Sequence, residues 1–396
     1  MTDPFQERLQ ALRIQSLHRT LREVGGAQGA EIELVGERLV NFASNDYLGL
    51  ANDERLREAA RRAIAEFGVG AGSSRLICGT QSPHMRLEAA LARWKRTPAA
   101  LSFSSGYAAA VGILPALAGK EDVILLDKLC HASLIDGAKL SGAALRVFPH
   151  NHLGKLESHL EWAHRERPDA RILIVTESVF SMDGDRTPLS ELIDLKKRFG
   201  AMLLLDEAHA IGVLGPAGRG LAAELNLAQN VDVQMGTLSK ALGVSGGYVC
   251  GSHSLIDWLV NRARSFIFST APPPALAAAA LAAIEFLQSE DGKTRRRVLW
   301  ERIKLLRRSL PTQTPVATAT QVTADELGSA IHVWPVGDER TALNLARSLR
   351  GEGLLVPAIR YPTVARGSAR LRITVTAAHH ETQILSLCEA LARHVK

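Results

Sequence analysis

The chain reads as an α/β protein: a large domain on a mostly parallel central sheet, then a smaller C-terminal α/β domain. Three observations predict this. Short runs rich in Val, Ile and Leu recur between helical stretches, and they lack the polar alternation of a sheet with one wet face. A Pro-rich break, Ser269-Thr270-Ala271-Pro272-Pro273-Pro274, punctuates the chain well past its middle. With 396 residues, 46% hydrophobic and 22% charged, the chain can bury one large core and a smaller one. The boundaries that follow are residues 1–50 for an N-terminal helix and arm, 51–275 for the large domain and 276–396 for the small one.

Taken in order, helical periodicity with several basic residues predicts a helix from Phe5 to Val24. A Gly-rich link, Gly25 to Gly29, leads to a short strand pair around Ile32–Leu34 and Leu39–Phe42. The turn-rich segment Ser44–Leu50 opens onto a helix ending at Phe67. Strands are then expected at Ala99–Phe103, Val123–Asp127, Leu145–Phe148, Arg171–Thr176, Met202–Asp206, Val233–Thr237 and Gly247–Gly251, most of them separated by helices. After the Pro-rich break come a long helical region to about Ser309 and a threonine/alanine connection. A second βαβ-like set closes the chain: Ile331–Val336, a helix Thr341–Gly351, Arg370–Val375 and a helix Glu381–Val395.

Composition narrows the function. No apolar run is long enough to cross a bilayer, and the alanine-rich stretch Pro274–Leu287 reads as a buried helix. The first residues lack an apolar core followed by a small-residue cleavage site, so a cytoplasmic protein is expected. Cys78, Cys130, Cys250 and Cys388 lie far apart without metal-type pairing, as free thiols in a reducing compartment do. Neither His150-Asn151-His152 nor His379-His380 belongs to a metal-ligand motif, so no metal is expected. The net charge is +6 with dispersed arginines and only 5% aromatics, which argues against a nucleic-acid surface and is compatible with an anionic ligand. Gly68-Val69-Gly70-Ala71-Gly72 looks like a dinucleotide fingerprint, but it follows a helix and its third Gly falls one position early.

The chemistry concentrates in two segments. Thr237-Leu238-Ser239-Lys240-Ala241-Leu242-Gly243 sets one lysine among small, apolar and hydroxyl residues. A lysine that attacks an aldehyde must be partly neutral, and dry surroundings favour that state. Upstream, the apolar run Leu203–Leu205 ends in Asp206-Glu207-Ala208-His209. Pyridoxal 5′-phosphate (PLP) needs both partners, a Schiff-base lysine and a carboxylate facing its ring nitrogen. Ser104-Ser105-Gly106-Tyr107 follows a strand and opens a helix, which suits a phosphate. His131 follows the strand ending at Asp127, where an imidazole can lie on a cofactor ring. Ser178 to Asp185 offers hydroxyls and carboxylates at the carboxyl edge, where open α/β sheets bind ligands.

Together these segments resemble the fold-type-I PLP-dependent enzymes and, within them, the α-oxoamine synthases. The likeness is carried by Asn41–Leu50, Gly72–Arg75, His131–Ser133, Phe180–Gly184, Asp206–His209, Thr237–Gly243 and Pro362–Val364. It implies that Lys240 carries the cofactor and moves the proton, that Asp206 pairs with the ring nitrogen, that His209 bonds the ring's phenolic oxygen and that His131 stacks on the ring. Gly106, Tyr107, Ser181 and Thr237 would hold the phosphate and ring edge. Arg360 would take the amino acid carboxylate, with Thr363 beside it; Asn45 and Arg22 would be further substrate contacts, with Arg19 as the alternative to Arg22. The family joins an amino acid to an acyl thioester with loss of CO₂, as a homodimer. Arg360–Val364 and Thr374–His379 look most like the member that uses L-alanine and a pimeloyl thioester, on coenzyme A or acyl carrier protein, in biotin synthesis. Arg75–Gln81 also looks like the relative that joins glycine to acetyl-CoA, so a sister synthase using glycine or serine stays open, and a non-catalytic binding protein on this scaffold is a third reading.

Overall fold

The computed structural model describes residues 3, 5–15, 17–311 and 328–394; the threonine/alanine connection lies outside them. The chain divides into two compact units. One holds Asp46–Ser181 and Asp185–Arg297; the other holds Met1–Asn45, Met182–Gly184 and Val298–Lys396. The N-terminal arm thus groups with the C-terminal segment, and the division falls inside the helix Glu290–Ser309.

The chain enters the smaller unit through a helix over Gln6–Ile14, far shorter than the expected Phe5–Val24. The amides of Leu17 and His18 both turn back onto the Leu12 carbonyl, and no residue of the helix is buried. Without a packed face, further turns have nothing to hold them. Strands β1 (Glu31–Leu34) and β2 (Glu37–Asn41) form an antiparallel hairpin. Its turn places Val35 and Gly36 at φ of 54° and 78°, the positive values that a two-residue hairpin turn demands.

The larger unit is built on seven strands: β3 (Ala99–Phe103), β4 (Val123–Asp127), β5 (Ala144–Phe148), β6 (Ile172–Glu177), β7 (Met202–Asp206), β8 (Val233–Thr237) and β9 (Gly247–Gly251). Their order is β3-β9-β8-β7-β6-β4-β5, and only β9 runs against its neighbours β3 and β8. The mostly parallel sheet is therefore present. Every residue of β4, β6, β8 and β9 is buried, as a sheet covered on both faces requires. Leu101, Phe103, Ile113, Leu114, Ile124, Val175, Leu204 and Val249 belong to its core. At Gly137 a Cβ would stand 2.8 Å from the Ala110 carbonyl, so that glycine lets the helices Gly106–Leu117 and Ala132–Ser141 touch. The expected long helix after the Pro-rich break is two helices, Pro274–Gln288 and Glu290–Ser309. Ser289 separates them with an extended backbone, and its hydroxyl accepts the Gly292 amide as an N-cap does.

Parallel strands of one sheet deliver their carboxyl ends to one edge. Asp127, Glu177, Asp206 and Thr237 end β4, β6, β7 and β8 there. Beside this edge His150 bridges two acids, with Nδ1 3.1 Å from Asp127 and Nε2 2.7 Å from Asp185, and packs edge-on against Phe180. Burial opposes the imidazolium, but the two carboxylates outweigh it and push the ring up to about 10. A folded value above the ordinary one stabilises the fold fully below about pH 6.5 and ceases to do so as pH rises through about 10. His150→Ala should therefore cost about 2 kcal/mol at pH 7, since it removes the imidazolium that Asp127 and Asp185 share. Thermal melts should show the gap to wild type narrowing as pH rises toward about 10.

The smaller unit is completed by β10 (Ile331–Gly337), β11 (Leu354–Leu355), β12 (Ala358–Ile359) and β13 (Ala369–Thr374). β13 lies between β10 and β12 and is antiparallel to both, while β11 adds parallel to β2. The expected βαβ-like set is thus not a parallel crossover: the helix Glu339–Gly351 leads into β11 of the other small sheet, and β13 returns antiparallel. Apolar runs read alike in either strand direction, so the sequence pattern does not separate the two. The final helix spans Glu381–Ala392; Arg393 and His394 form a turn, and Val395 lies outside the described residues.

Candidate active site

Asp206 is buried at the end of β7, where its Oδ1 accepts the Ala208 amide at 2.8 Å and closes a local turn. The next acid, Glu207, is committed elsewhere. It forms a buried ion pair with Lys95 and accepts the Ala222 amide. Lys240 follows β8 in a turn closed by Leu238 N–H to Gly246 O, Val244 N–H to Leu238 O and Gly243 N–H to Lys240 O, each 2.9 Å. Gly243 has φ 71°, and a Cβ there would stand 2.5 Å from the Ala51 amide nitrogen, so only glycine fits.

Lys240 is half-buried, with Nζ 2.7 Å from Nε2 of the buried His209. His209 Nδ1 is in turn 2.5 Å from Oη of Tyr47, which is fully buried. The three side chains form a line along which a proton can be set. An ammonium on Lys240 donates to Nε2, which leaves the ring proton on Nδ1 to bond the Tyr47 oxygen.

The electrostatics are those of crowded acids facing one cation. Burial raises the Asp206 carboxyl above its usual range, and Lys240 draws it back. Glu177, its register partner on β6, is pushed up to about 8 by burial and then by Asp206, with Lys240 opposing. His131 lies at the rim, preceding the helix Ala132–Ser141. The surrounding protein and then Lys240 hold its imidazole below the ordinary range. Its Nδ1 accepts the Ser133 amide at 3.2 Å, so the neutral ring carries its proton on Nε2.

Beside these groups the helix Gly106–Leu117 begins. Ser105 caps it by accepting the Ala108 amide, while the Gly106 and Tyr107 amides have no acceptor within the helix. A Cβ on Gly106 would stand 3.3 Å from the Thr237 Cβ, so the glycine brings this turn against Thr237. The Thr237 hydroxyl donates to the Gly246 carbonyl at 2.9 Å and lies 2.7 Å from the Ser239 hydroxyl. Ser181 is buried; Tyr107 is half exposed, with its hydroxyl on Asp136 at 2.9 Å. An amine, a buried carboxylate, a helix N-terminus and adjoining hydroxyls are the donor set that PLP requires.

The remaining expected residues lie in the smaller unit. Asn45 Oδ1 accepts from the buried Arg372 at 3.1 Å. Arg360 donates to the His18 carbonyl at 3.3 Å; burial, then Arg19, hold its guanidinium below its usual range. Thr363 is exposed, and its amide bonds the Arg360 carbonyl across the cis Tyr361–Pro362 peptide. Arg22 is exposed, and it is Arg19 whose charge reaches Arg360.

Two residues at the larger unit's edge fall outside the expected set. Tyr47 lies in the Asn41–Leu50 segment, but nothing local says that its hydroxyl meets His209. Glu177 had a usable signal: like Asp206, it is an acid ending a buried strand that opens on four apolar residues.

The profile of the aminotransferase class I and II family matches residues 37–391. Among curated relatives, the 8-amino-7-oxononanoate synthase of Geobacter sulfurreducens is 46% identical over 395 residues, covering 99% of this chain and 98% of the relative. Among solved structures, a serine palmitoyltransferase from S. paucimobilis with bound PLP–myriocin superposes with a TM-score of 0.89 at 30% identity, covering 99% of this chain and 98% of that one. The 8-amino-7-oxononanoate synthase of Francisella tularensis superposes with a TM-score of 0.74 at 29% identity, covering 90% and 98%. The chain belongs to the aminotransferase class I and II family, among the 8-amino-7-oxononanoate synthases.

Proposed function

We propose that this chain is a PLP-dependent acyltransferase of biotin synthesis. It joins L-alanine to a pimeloyl thioester, yielding 8-amino-7-oxononanoate, CO₂ and the free thiol. The observation that carries the chemistry is the line Lys240–His209–Tyr47 beside buried Asp206. The choice of substrates rests on the relatives. When bound, PLP supplies an electrophilic carbon for the amine and a sink for negative charge at the α-carbon.

This chain's residues do the rest. Asp206 holds a proton on the ring nitrogen, because a buried carboxylate stabilises a facing cation. Lys240 Nζ removes the α-proton of alanine and later returns one, with His209 and Tyr47 fixing its position. The new bond joins the alanine α-carbon to the acyl carbonyl carbon as the thiolate leaves; the bond to the carboxylate then breaks, and a proton replaces CO₂. Gly106 and Tyr107 amides with Ser181 and Thr237 hydroxyls are assigned to the phosphate, and His131 to a face of the ring. Arg360 is assigned to the amino acid carboxylate, with Thr363, Asn45 and Arg22 as further substrate contacts; these four rest on the family likeness.

The case for glycine came from Arg75–Gln81. Arg75 is buried there, with Nη1 and Nη2 on Glu88 at 2.8 and 3.0 Å and Nε on Thr80 at 2.9 Å. A guanidinium spent inside the protein speaks for neither amino acid. A homodimer is supported by exposed Val69, Leu76, Ile77 and Phe268, whose segments are tied through the Ser74–Thr270 bridge. Among the described residues no helix is long and apolar enough to cross a membrane, and a cytoplasmic location is part of this reading.

The test is amino acid preference. With pimeloyl-CoA or pimeloyl-acyl carrier protein, L-alanine should exceed glycine and L-serine in kcat/KM for thiol release by roughly tenfold or more. The product mass should be that of 8-amino-7-oxononanoate. A preference for glycine or serine would move the chain to a sister synthase, and no thiol release with any of them would remove the synthase reading.

A further inference from the structure

We propose that Glu177 is a positioning residue of this edge that works as a neutral carboxylic acid, holding His131 by its backbone amide. The inference rests on the reading of the edge as the PLP site. Glu177 is buried at the end of β6, and its Oε1 accepts the His131 N–H in a short hydrogen bond. His131 is therefore fixed at both its main chain and its ring, the latter through the Ser133 amide and the Ser133 hydroxyl, 2.8 Å from Nδ1. Loss of the Glu177 acceptor would free the segment that carries the imidazole.

The protonation state follows from what faces the carboxyl. Asp206 stands beside it on β7 and Asp127 ends β4, while Lys240 approaches from the turn after β8; Cys130 and His131 come from the segment before the helix Ala132–Ser141. Asp127 is itself engaged by His150 and the Leu129 and Asn151 amides. If Glu177 and Asp206 were both ionised, two buried charges would share the one nearby ammonium, and a single peptide N–H does not compensate the second. The proton stays on Glu177, which leaves the negative charge to Asp206. Its value of about 8, raised by burial and then by Asp206, agrees.

Glu177→Gln keeps the acceptor and cannot ionise, whereas Glu177→Leu removes it. PLP dissociation from the full-length holoenzyme should be roughly tenfold easier for Leu, the worth of one such bond, and Gln should restore the retention that Leu loses. The PLP-stripped chain gives a second readout that activity does not enter. An acid raised from 4.5 to about 8 on folding loses its contribution to stability as pH rises across that window. The melting temperature of Glu177→Gln relative to wild type should therefore climb from about pH 5 to about pH 8. A flat difference across that window, or a Gln variant that sheds PLP as readily as Leu, overturns the proposal. If Leu does not fold, retention by Gln set against wild type, with the melts, decides. If wild type fails to bind PLP, the proposed function fails, while the melts still judge Glu177.

Discussion

Lys240→Ala is expected to lower turnover at least roughly ten-thousandfold, the upper range for a positioned proton-transfer group, with a covalent attachment lost besides. The structure gives the reason. Nζ stands at the end of a fixed line to His209 and Tyr47, in a turn closed by three backbone hydrogen bonds. None of those bonds uses the side chain, so the turn survives the substitution. The helix N-terminus at Gly106 and the Thr237 hydroxyl also remain. The variant should keep its melting temperature and still take up PLP, while thiol release falls below detection. Turnover near the wild-type rate would remove Lys240 from its role.

Asp206→Asn is the second large effect. Asparagine keeps an oxygen for the Ala208 amide, so the turn after β7 persists. What disappears is the buried negative charge that the proposed function assigns to the ring nitrogen. Removing one preorganised charge of this kind should lower kcat by roughly a thousandfold. Stability should move the other way. Burial raises this carboxyl, which means that carrying the charge costs the fold something near neutral pH. The melting temperature at pH 7 should stay level or rise. Loss of both kcat and stability would mean that Asp206 serves the fold instead of the chemistry.

How much of this was legible in the sequence depends on how local the cause is. Five strands of the large sheet fall at the residues expected; in Val123–Asp127 and Met202–Asp206 the signal is an apolar run ending in a carboxylate, which marks a strand buried on both faces. Asp206, Thr237 and Lys240 follow from that register, since a strand end must emerge at the sheet edge. The reversed direction of β9 was not legible: Gly247–Gly251 is wholly buried and reads alike both ways. The N-terminal helix was overread because periodicity does not say whether a face finds a partner, and Gln6–Ile14 buries nothing. Tyr47 escaped because its partner lies 162 residues away. His150 looked inert as a metal ligand; its two carboxylate partners come from β4 and from the loop after β6, a meeting that only the fold arranges.

The central claim is that Lys240 is the residue to which the cofactor attaches. Reducing the PLP-loaded protein with borohydride, digesting it and locating the pyridoxyl mass by tandem mass spectrometry tests this most directly. The account predicts the modification on the peptide containing Thr237-Leu238-Ser239-Lys240-Ala241, and its loss in Lys240→Ala. A pyridoxyl group on another lysine, or none after loading, would contradict it.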